Sequence, residues 1–385
     1  MPGGLHSDLV RYYAEAIWQE LVNGFGKDLP GPVDYDTPDG EMLLHLKRNV
    51  YQFSGAKNYA QMKAMTEALI GPDDKLRTKS EYFREAHKIN NQQVHAWLDA
   101  ESDLAIASGQ MASRWLQIQE EKDIFPYLYY DAILDKGTTD MCRNFDGILL
   151  PVDHSFWDQY FPPNHFRCRS DVQQRDSGRV TDASKIVYPA KFPPMFKVNL
   201  AKRHLAFPPD HPYWKDIPED VKKHAMRLMP YDEQFESIEK KGQAWVRKHI
   251  EAETNATDYN TILIVALEKM KQGSKVDILP AATDPELRAI LFPDAKKGRS
   301  PDMRIDGILT ELKRVSKIKH NTIKHAITTA SHQADHTIIV LPDDMRIEEL
   351  RRIAKRKFMD HAGLQLIEFI MGDRAVVFQR GMLIK

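Results

Sequence analysis

The residues from Thr138 to Ser170, TTDMCRNFDGILLPVDHSFWDQYFPPNHFRCRS, decide the fold of the first half of this chain. Their Asp-Gly pair favours a tight turn, and their Pro-Pro pair favours an extended backbone. Short apolar runs lie between these breakers, so the stretch predicts a loop-rich unit with short β-strands. Six residues form its signature: Cys142, Asp146, Gly147, His165, Cys168 and Arg169.

Apolar residues at helical spacing dominate the chain before this unit. The longest such stretch, 80–121, contains no proline. A run rich in aromatic and β-branched residues, 125–134, then predicts a strand that leads into the signature. The sequence therefore predicts an N-terminal helical bundle followed by a small β unit. The predicted helices are 7–23, 42–50, 56–70 and 80–121.

The two cysteines and His165 admit three interpretations. Thiolates and an imidazole can bind zinc, and a Cys–His pair can act as nucleophile and base. The third is that Cys142 and Cys168 pack as small buried groups while arginines hold the loop by hydrogen bonds. We favour packing, so zinc is not expected here. A fourth zinc ligand would come from Asp140, Asp146 or His154, and the arginines are Arg143, Arg167 and Arg169.

The signature resembles that of the phage Mu F-like head morphogenesis proteins. Weaker similarity extends upstream to 43–54 and 108–112, and downstream to His211-Pro212-Tyr213. The resemblance implies a minor head protein whose partners are portal and capsid proteins. It also implies synthesis in the host bacterial cytoplasm and a final place in the virion, in the head interior or near the portal. Some relatives carry Cys-x-x-Cys where this chain has Cys142-Arg143-Asn144-Phe145, which removes one potential metal ligand.

Composition limits the class of protein. Of the 385 residues, 42% are hydrophobic and 28% are charged, which fits folded, soluble domains. No stretch approaches the ~20 apolar residues of a membrane span, so no membrane partner is expected. Two cysteines exclude a disulfide framework and fit a reducing cytosol. The net charge of −1 identifies no partner, because opposite regional charges cancel.

A proline-rich connector separates two halves of different character. Residues 187–218 contain seven prolines, which resist helix and sheet, and several aromatic residues. We expect this segment to lie across a surface such as that of the first domain. The charged stretch 237–254 predicts a linker helix. The predicted domains are therefore 1–186, 187–253 and 254–385.

Helix and strand patterns alternate from Tyr259 onward. Their order is α-β-β-β-α-β and then α-β-β, with a hairpin of 303–306 and 309–315 around Asp306-Gly307. This order predicts a small α/β sandwich. The chain as a whole is then a multidomain α+β protein.

A candidate catalytic set lies on this hairpin. Asp302 precedes one strand, and Glu311 and Lys313 occupy the next, in the pattern of PD-(D/E)XK nucleases. Residues i and i+2 of a strand share a face, so Glu311 and Lys313 point the same way. Asp302 and Glu311, with Asp306 as an alternative, would hold a divalent cation such as Mg²⁺, which prefers carboxylate oxygens. Lys313 would orient the attacking water.

Basic residues cluster in the sequence around this set, as a phosphate backbone requires. From about Gly298 to Leu341 the pattern resembles the C-terminal nuclease toxins of contact-dependent inhibition systems. That resemblance implies RNA or tRNA as substrate, and an immunity protein as a further partner. Some such toxins work without metal, and His320, Lys313 and Thr322 would then do the acid–base work. The basic residues are Arg304, Arg314, Lys317, Lys319 and Lys324.

Two functions of different classes follow. In the first, a head-binding module carries a nuclease into the next host. In the second, the protein is purely structural, and its C-terminal domain contacts nucleic acid or capsid partners without catalysis. Convergence of Asp302, Glu311 and Lys313 on one face favours the first. A salt bridge from Glu311 to Arg314 or Lys324 favours the second.

Overall fold

The structure, a computed structural model, describes residues 5–26, 37–92, 97–296 and 298–384. The chain divides into two units, residues 1–229 and 230–385. Within the described residues, no helix combines the length and apolar character that crossing a membrane demands.

Four long helices build the first part of unit 1, as the apolar spacing predicted. The two helices predicted over 42–50 and 56–70 are one continuous helix. The stretch 80–121 forms two helices, and residues 93–96 of that prediction lie outside the described residues. The helices are α1 (Ser7–Phe25), α2 (Pro38–Glu67), α3 (Lys79–Asn91) and α4 (Trp97–Glu121).

Two glycines allow α1 and α4 to cross closely. A Cβ built on Gly24 would lie 2.2 Å from the Ile106 carbonyl oxygen, and one on Gly109 would lie 2.2 Å from that of Leu21. These distances are far below van der Waals contact, so each position accepts only glycine without a backbone shift. Apolar residues of both helices, including Ile17 on α1, are fully buried.

The signature folds into a small antiparallel sheet with two short helices. The predicted strand over 125–134 is shorter than expected but present. The elements are β1 (Tyr127–Asp131), α5 (Asp140–Phe145), β2 (Leu149–Pro151), α6 (Phe156–Tyr160) and β3 (Asp171–Arg175). The strand order is β2-β1-β3, with β1 in the centre.

The proline-rich connector lies against the helices of unit 1, as predicted. Phe207 stacks on Phe53 of α2 with ring centroids 3.6 Å apart, and both rings are fully buried. The Tyr213 hydroxyl donates to Glu101 of α4 at 3.0 Å, and Glu101 also forms a buried ion pair with Lys57. The connector ends in a further helix, α7 (Glu219–Arg227).

Unit 2 is one mixed eight-stranded sheet with helices. Its strands are β4 (Phe235–Lys241), β5 (Ala244–His249), β6 (Lys275–Ile278), β7 (Met303–Ile305), β8 (Ile308–Arg314), β9 (His336–Leu341), β10 (Leu366–Met371) and β11 (Arg374–Gln379). Its helices are α8 (Tyr259–Lys271), α9 (Pro285–Leu291), α10 (His320–Ser331), α11 (Ile347–Asp360) and α12 (Arg380–Leu383). The strands run in the spatial order β11-β10-β9-β8-β7-β6-β5-β4. From α8 onward the predicted order of elements is confirmed, with α9 and α12 added.

The linker helix predicted over 237–254 is wrong. This stretch forms the antiparallel hairpin β4–β5, which continues the sheet through parallel pairing of β5 with β6. The reason is visible in β5, where Ala244 and Val246 are buried in the core while Trp245 between them is partly exposed. Gly242, with φ +63°, makes the turn. Unit 2 therefore begins at Pro230, ahead of the predicted boundary at residue 254.

Candidate active site

The β7–β8 hairpin places Asp302 beside Glu311. Met303 pairs with Thr310, so Asp302 and Glu311 face each other one step beyond that pair. The Asp302 carboxylate accepts a hydrogen bond from the Leu312 amide at 2.9 Å, which fixes its position against β8. The two carboxyl groups are therefore neighbours on adjacent strands.

Lys313 lies on the same face of β8 as Glu311. Its ammonium is 2.5 Å from Glu311 Oε1, while Leu312 between them is buried in the core on the other face. The side chain of Glu311 is 3% exposed and that of Lys313 is 31% exposed. Glu311 Oε2 is buried and has no hydrogen-bond donor among the described residues, while a proton shared with Asp302 would hydrogen-bond the two carboxyl groups. The three predicted side chains thus converge, and Lys313 connects them to solvent.

Burial and mutual repulsion disturb the ionisation of the two carboxyl groups. Burial, followed by the charge of Asp302, raises the pKa of Glu311 to about 8. Burial also raises the pKa of Asp302, which Lys313 partly counteracts. Burial disfavours the Lys313 ammonium, but the charge of Glu311, its hydrogen bond and the charges of Asp302 and Asp258 together outweigh burial and raise the pKa of Lys313. Around neutral pH the two carboxyl groups hold a proton that a bound cation would replace.

Asp258, which sequence reasoning missed, adds a third acidic group nearby. It lies directly before α8, and its charge acts on the pKa of both Asp302 and Lys313. Asp258 is exposed and falls in a polar segment, where an isolated aspartate has no distinguishing pattern. Only the fold brings it near the hairpin.

The structure places two predicted site residues elsewhere. Asp306 lies in the hairpin turn, at the far end from Asp302, and its carboxylate accepts the Lys275 amide at 2.8 Å. It is therefore not an alternative to Asp302 as a partner of Glu311. His320 begins α10, and its Nε2 is 3.7 Å from a carboxylate oxygen of Glu349 on α11. The partner of His320 is thus Glu349 on α11, and neither Asp302 nor Glu311.

The basic residues divide into two groups. Arg304 is only 16% exposed, makes a bidentate ion pair with Asp294 at 3.0 Å and donates to the Leu291 carbonyl, so it holds a loop. It is not a free contact for phosphate, contrary to the prediction. Arg314, Lys317 and Lys319 are exposed. Lys324 lines a groove of about 200 Å³ between α10 and α11 together with His320, Glu349, Arg352, Ile353 and Arg356.

The signature residues of unit 1 have partners within that unit. Arg169 forms a bidentate pair with Asp135 at 2.6 and 2.8 Å, which lowers the pKa of that carboxyl. Asp146 accepts the Ala132 amide at 2.9 Å, and Gly147 adopts φ +82°. Cys142, His165 and Cys168 come together: their ligand atoms all lie within 4.8 Å of one another.

Comparisons with known proteins agree with this division of the chain. Residues 56–173 match the family described as Phage Mu protein F like protein. Residues 299–376 match the family described as Contact-dependent growth inhibition CdiA C-terminal domain. The first range contains Cys142, His165 and Cys168, and the second contains the Asp302 hairpin.

One curated relative supports the first match. It is "Putative capsid assembly protein F" of Escherichia phage Mu, 28% identical over 82 residues, or 21% of this chain. The chain spans only 19% of that protein's length. No solved structure matches the chain. The chain is therefore similar to the Phage Mu F-like proteins over residues 56–173 and to the CdiA C-terminal domain over residues 299–376.

Proposed function

We propose that this protein is a minor head protein of a phage that carries a metal-dependent nuclease as its second unit. The observation that carries the nuclease is the buried pair of Asp302 and Glu311 with Lys313 on the same face. The Mu F-like domain supports the head role, with portal and capsid proteins as partners and the virion as location. RNA, and tRNA in particular, is the proposed substrate, and an immunity protein would protect the producing cell.

The acidic pair fits a divalent cation. Glu311 Oε2 is a buried acceptor with no donor among the described residues, so a proton shared with Asp302 or a bound cation has to satisfy it. Asp302 lies beside it, and both carboxyl groups resist ionisation in the absence of a positive partner. Hard oxygen ligands of this kind suit Mg²⁺. The bound ion would polarise the phosphodiester and lower the pKa of a water molecule.

Lys313 is suited to orient the attacking water or to offset charge on the phosphate. Its ion pair with Glu311 fixes the ammonium at the carboxylate pair, and nearly a third of the side chain remains exposed. A positioned donor of this kind stabilises charge that develops in the transition state. Asp258 would add negative charge on the same side of the site and so strengthen cation binding.

Exposed basic residues supply a surface for the nucleic acid backbone. Arg314, Lys317 and Lys319 come shortly after Lys313 in the chain and are exposed. A nucleic acid strand bound at the carboxylate pair would therefore pass near them. The groove between α10 and α11 adds Arg352 and Arg356 to Lys324. Positive side chains at such spacing bind phosphates without reading sequence.

The metal-free alternative has weaker support. It requires His320 near the reacting phosphate, but the Nε2 of that ring is directed at Glu349 on α11. Under the non-catalytic alternative, Glu311 would form a salt bridge with Arg314 or Lys324. In the structure its salt bridge is with Lys313. Both alternatives remain outcomes of the cleavage experiment.

The test is cleavage of tRNA, total RNA and DNA by the full-length protein with Mg²⁺, Mn²⁺ or a chelator. Glu311→Gln and Lys313→Met should each reduce the rate at least about 100-fold, the usual effect of removing a group that stabilises transition-state charge. The matched control is Glu368→Gln on β10. Glu368 is also buried and also ion-paired, with Lys269 at 2.7 Å, but it lies two strands away from β8.

Each outcome has a distinct meaning. Metal-dependent cutting lost in both site variants and kept in Glu368→Gln supports the proposal. Cutting that survives chelation would indicate metal-free cleavage, with His320 as the acid–base group. Absence of cutting in the wild type, with binding of nucleic acid retained, would leave the non-catalytic function. Independently, mass spectrometry of purified phage particles should find a few copies per particle, and absence from the particles would refute the head role.

A further inference from the structure

The two cysteines and His165 form a cluster that the proposed nuclease does not use. Cys142 lies on α5, whose first turn is capped by the Thr139 hydroxyl. His165 and Cys168 lie in the loop between α6 and β3. Cys142 Sγ is 3.2 Å from His165 Nε2 and 3.9 Å from Cys168 Sγ. Both thiols are buried. His165 and Cys168 lie 23 and 26 positions after Cys142 in the chain, so the fold brings the three together.

The arrangement is close to that of three ligands of a tetrahedral zinc site. With zinc–sulfur bonds of about 2.3 Å and zinc–nitrogen bonds of about 2.0–2.1 Å, two sulfurs lie about 3.8 Å apart and sulfur and nitrogen about 3.6 Å. A disulfide would need the two sulfurs about 2.05 Å apart, so the thiols are not in bonding position for one. The sulfur–sulfur separation of 3.9 Å therefore fits two thiolates around one ion, and the sulfur–nitrogen separation of 3.2 Å would lengthen slightly when the ion binds.

The surroundings of His165 are also those of a metal ligand. Its Nδ1 is 2.7 Å from the Phe166 carbonyl oxygen, which makes Nδ1 the protonated nitrogen and leaves the lone pair on Nε2, the atom that faces Cys142. Zinc-bound histidines typically hold the second ring nitrogen in this way. The Cys168 amide donates to the His165 carbonyl at 3.2 Å, which ties the two loop residues together.

We propose that the Mu F-like domain binds one zinc ion through Cys142 Sγ, His165 Nε2 and Cys168 Sγ. Two thiolates neutralise the charge of Zn²⁺, and the ion joins α5 to the loop before β3. The fourth ligand is a water molecule, because the Thr139 hydroxyl, 3.3 Å from His165 Nε2, already accepts the Cys142 amide. Asp140, Asp146 and His154 do not join the cluster, because among the described residues only Cys142, His165 and Cys168 bring their ligand atoms within 4.8 Å of one another.

The experiment measures zinc in the reduced, full-length protein by elemental analysis and by competition with a chromophoric chelator. We expect about one zinc per chain. Cys142→Ser, Cys168→Ser and His165→Ala should each weaken binding by more than about 100-fold, since even indirect partners of a zinc site contribute 10–100-fold. His87→Ala, at an exposed position of α3, is the matched control and should retain the ion. Glu311→Gln should retain it as well, which separates this site from the nuclease.

Cobalt substitution keeps the proposal falsifiable if a variant does not fold. Cobalt added to the wild type should give a sulfur-to-metal charge-transfer band and the intense visible bands of tetrahedral coordination. A wild-type protein with two reactive thiols, no zinc and no such band would overturn the proposal. Zinc that remains at full occupancy in folded Cys142→Ser and Cys168→Ser would overturn it too.

Discussion

Replacement of Glu311 by glutamine should stabilise unit 2 while abolishing cleavage. The wild-type carboxyl has its pKa raised from 4.5 to about 8 in the folded protein, so the folded state retains a proton that the unfolded state releases. Its contribution to stability is therefore fully present below about pH 4.5 and is lost as pH rises through 8. Glutamine has nearly the same shape and no charge, so the variant escapes this loss.

The magnitude follows from linkage. Between the two pKa values, the wild type loses about 1.4 kcal/mol per pH unit through this group, or about 3 kcal/mol between pH 4.5 and 7. The free-energy difference between Glu311→Gln and wild type should grow in favour of the variant by this amount. Asp302 and Lys313 interact with Glu311, so the difference also contains the change in their titration, whereas groups outside this set cancel. Mg²⁺ should stabilise the wild type above pH 7 and leave the variant unchanged, because binding to the folded state adds stability.

Hydrogen–deuterium exchange on the full-length protein reads this free energy separately in β8 and β9. Exchange would be followed from pH 5 to 8 and corrected for intrinsic rates. The control, Glu368→Gln, should destabilise the same strands at every pH, because it leaves the buried Lys269 ammonium without its carboxylate. A difference between Glu311→Gln and wild type that is flat with pH would refute the reasoning, as it would show that Glu311 ionises normally.

Three further variants test the packing of unit 1, and urea unfolding of the full-length protein measures each of them. Glu101→Gln should cost about 3–5 kcal/mol, because it leaves the fully buried Lys57 ammonium unpaired; a cost below about 1 kcal/mol would contradict the ion pair. Phe207→Ala should cost about 3–5 kcal/mol and make the connector sensitive to protease, since it removes a fully buried ring from Phe53; unchanged proteolysis would contradict the docking. Gly109→Ala should cost more than the surface variant His87→Ala, because its Cβ would collide with the Leu21 carbonyl; equal stabilities would show that α1 can move away.

The elements of unit 2 from α8 onward were predictable because its strands are short apolar runs with glycine or proline at their ends. Residues 336–341, for example, are the same strand in the prediction and in the structure. The hairpin β4–β5 was missed because its charged residues resemble a solvated helix, and the alternation of Ala244 and Val246 covers only three positions. Gly242 between two charged runs was the signal that favoured a turn.

The site was predictable where its residues are close in sequence. Glu311 and Lys313 share a face through strand alternation, and Asp302 precedes the partner strand of the same hairpin. Asp258 could not be found in this way, because only the packing of α8 against the sheet brings it near. The sequence could not decide whether Asp306 or Asp302 lies beside Glu311, because the register of the hairpin was not known. The register places it in the turn, where a backbone amide uses its carboxylate.

The buried charges of the two units differ in one respect that distinguishes structure from function. In unit 1, both oxygens of Glu101 accept hydrogen bonds, one from Lys57 and one from Tyr213, so the buried group is complete without any ligand. In unit 2, Glu311 pairs with Lys313 through one oxygen, and the other is buried with no hydrogen-bond donor among the described residues, so only a proton shared with Asp302 offsets it. An unsatisfied buried acceptor does not stabilise the fold. A protein tolerates such an acceptor where a ligand supplies the missing partner. The cation that we propose between Asp302 and Glu311 would be such a partner, and the partial exposure of Lys313 gives that position contact with solvent.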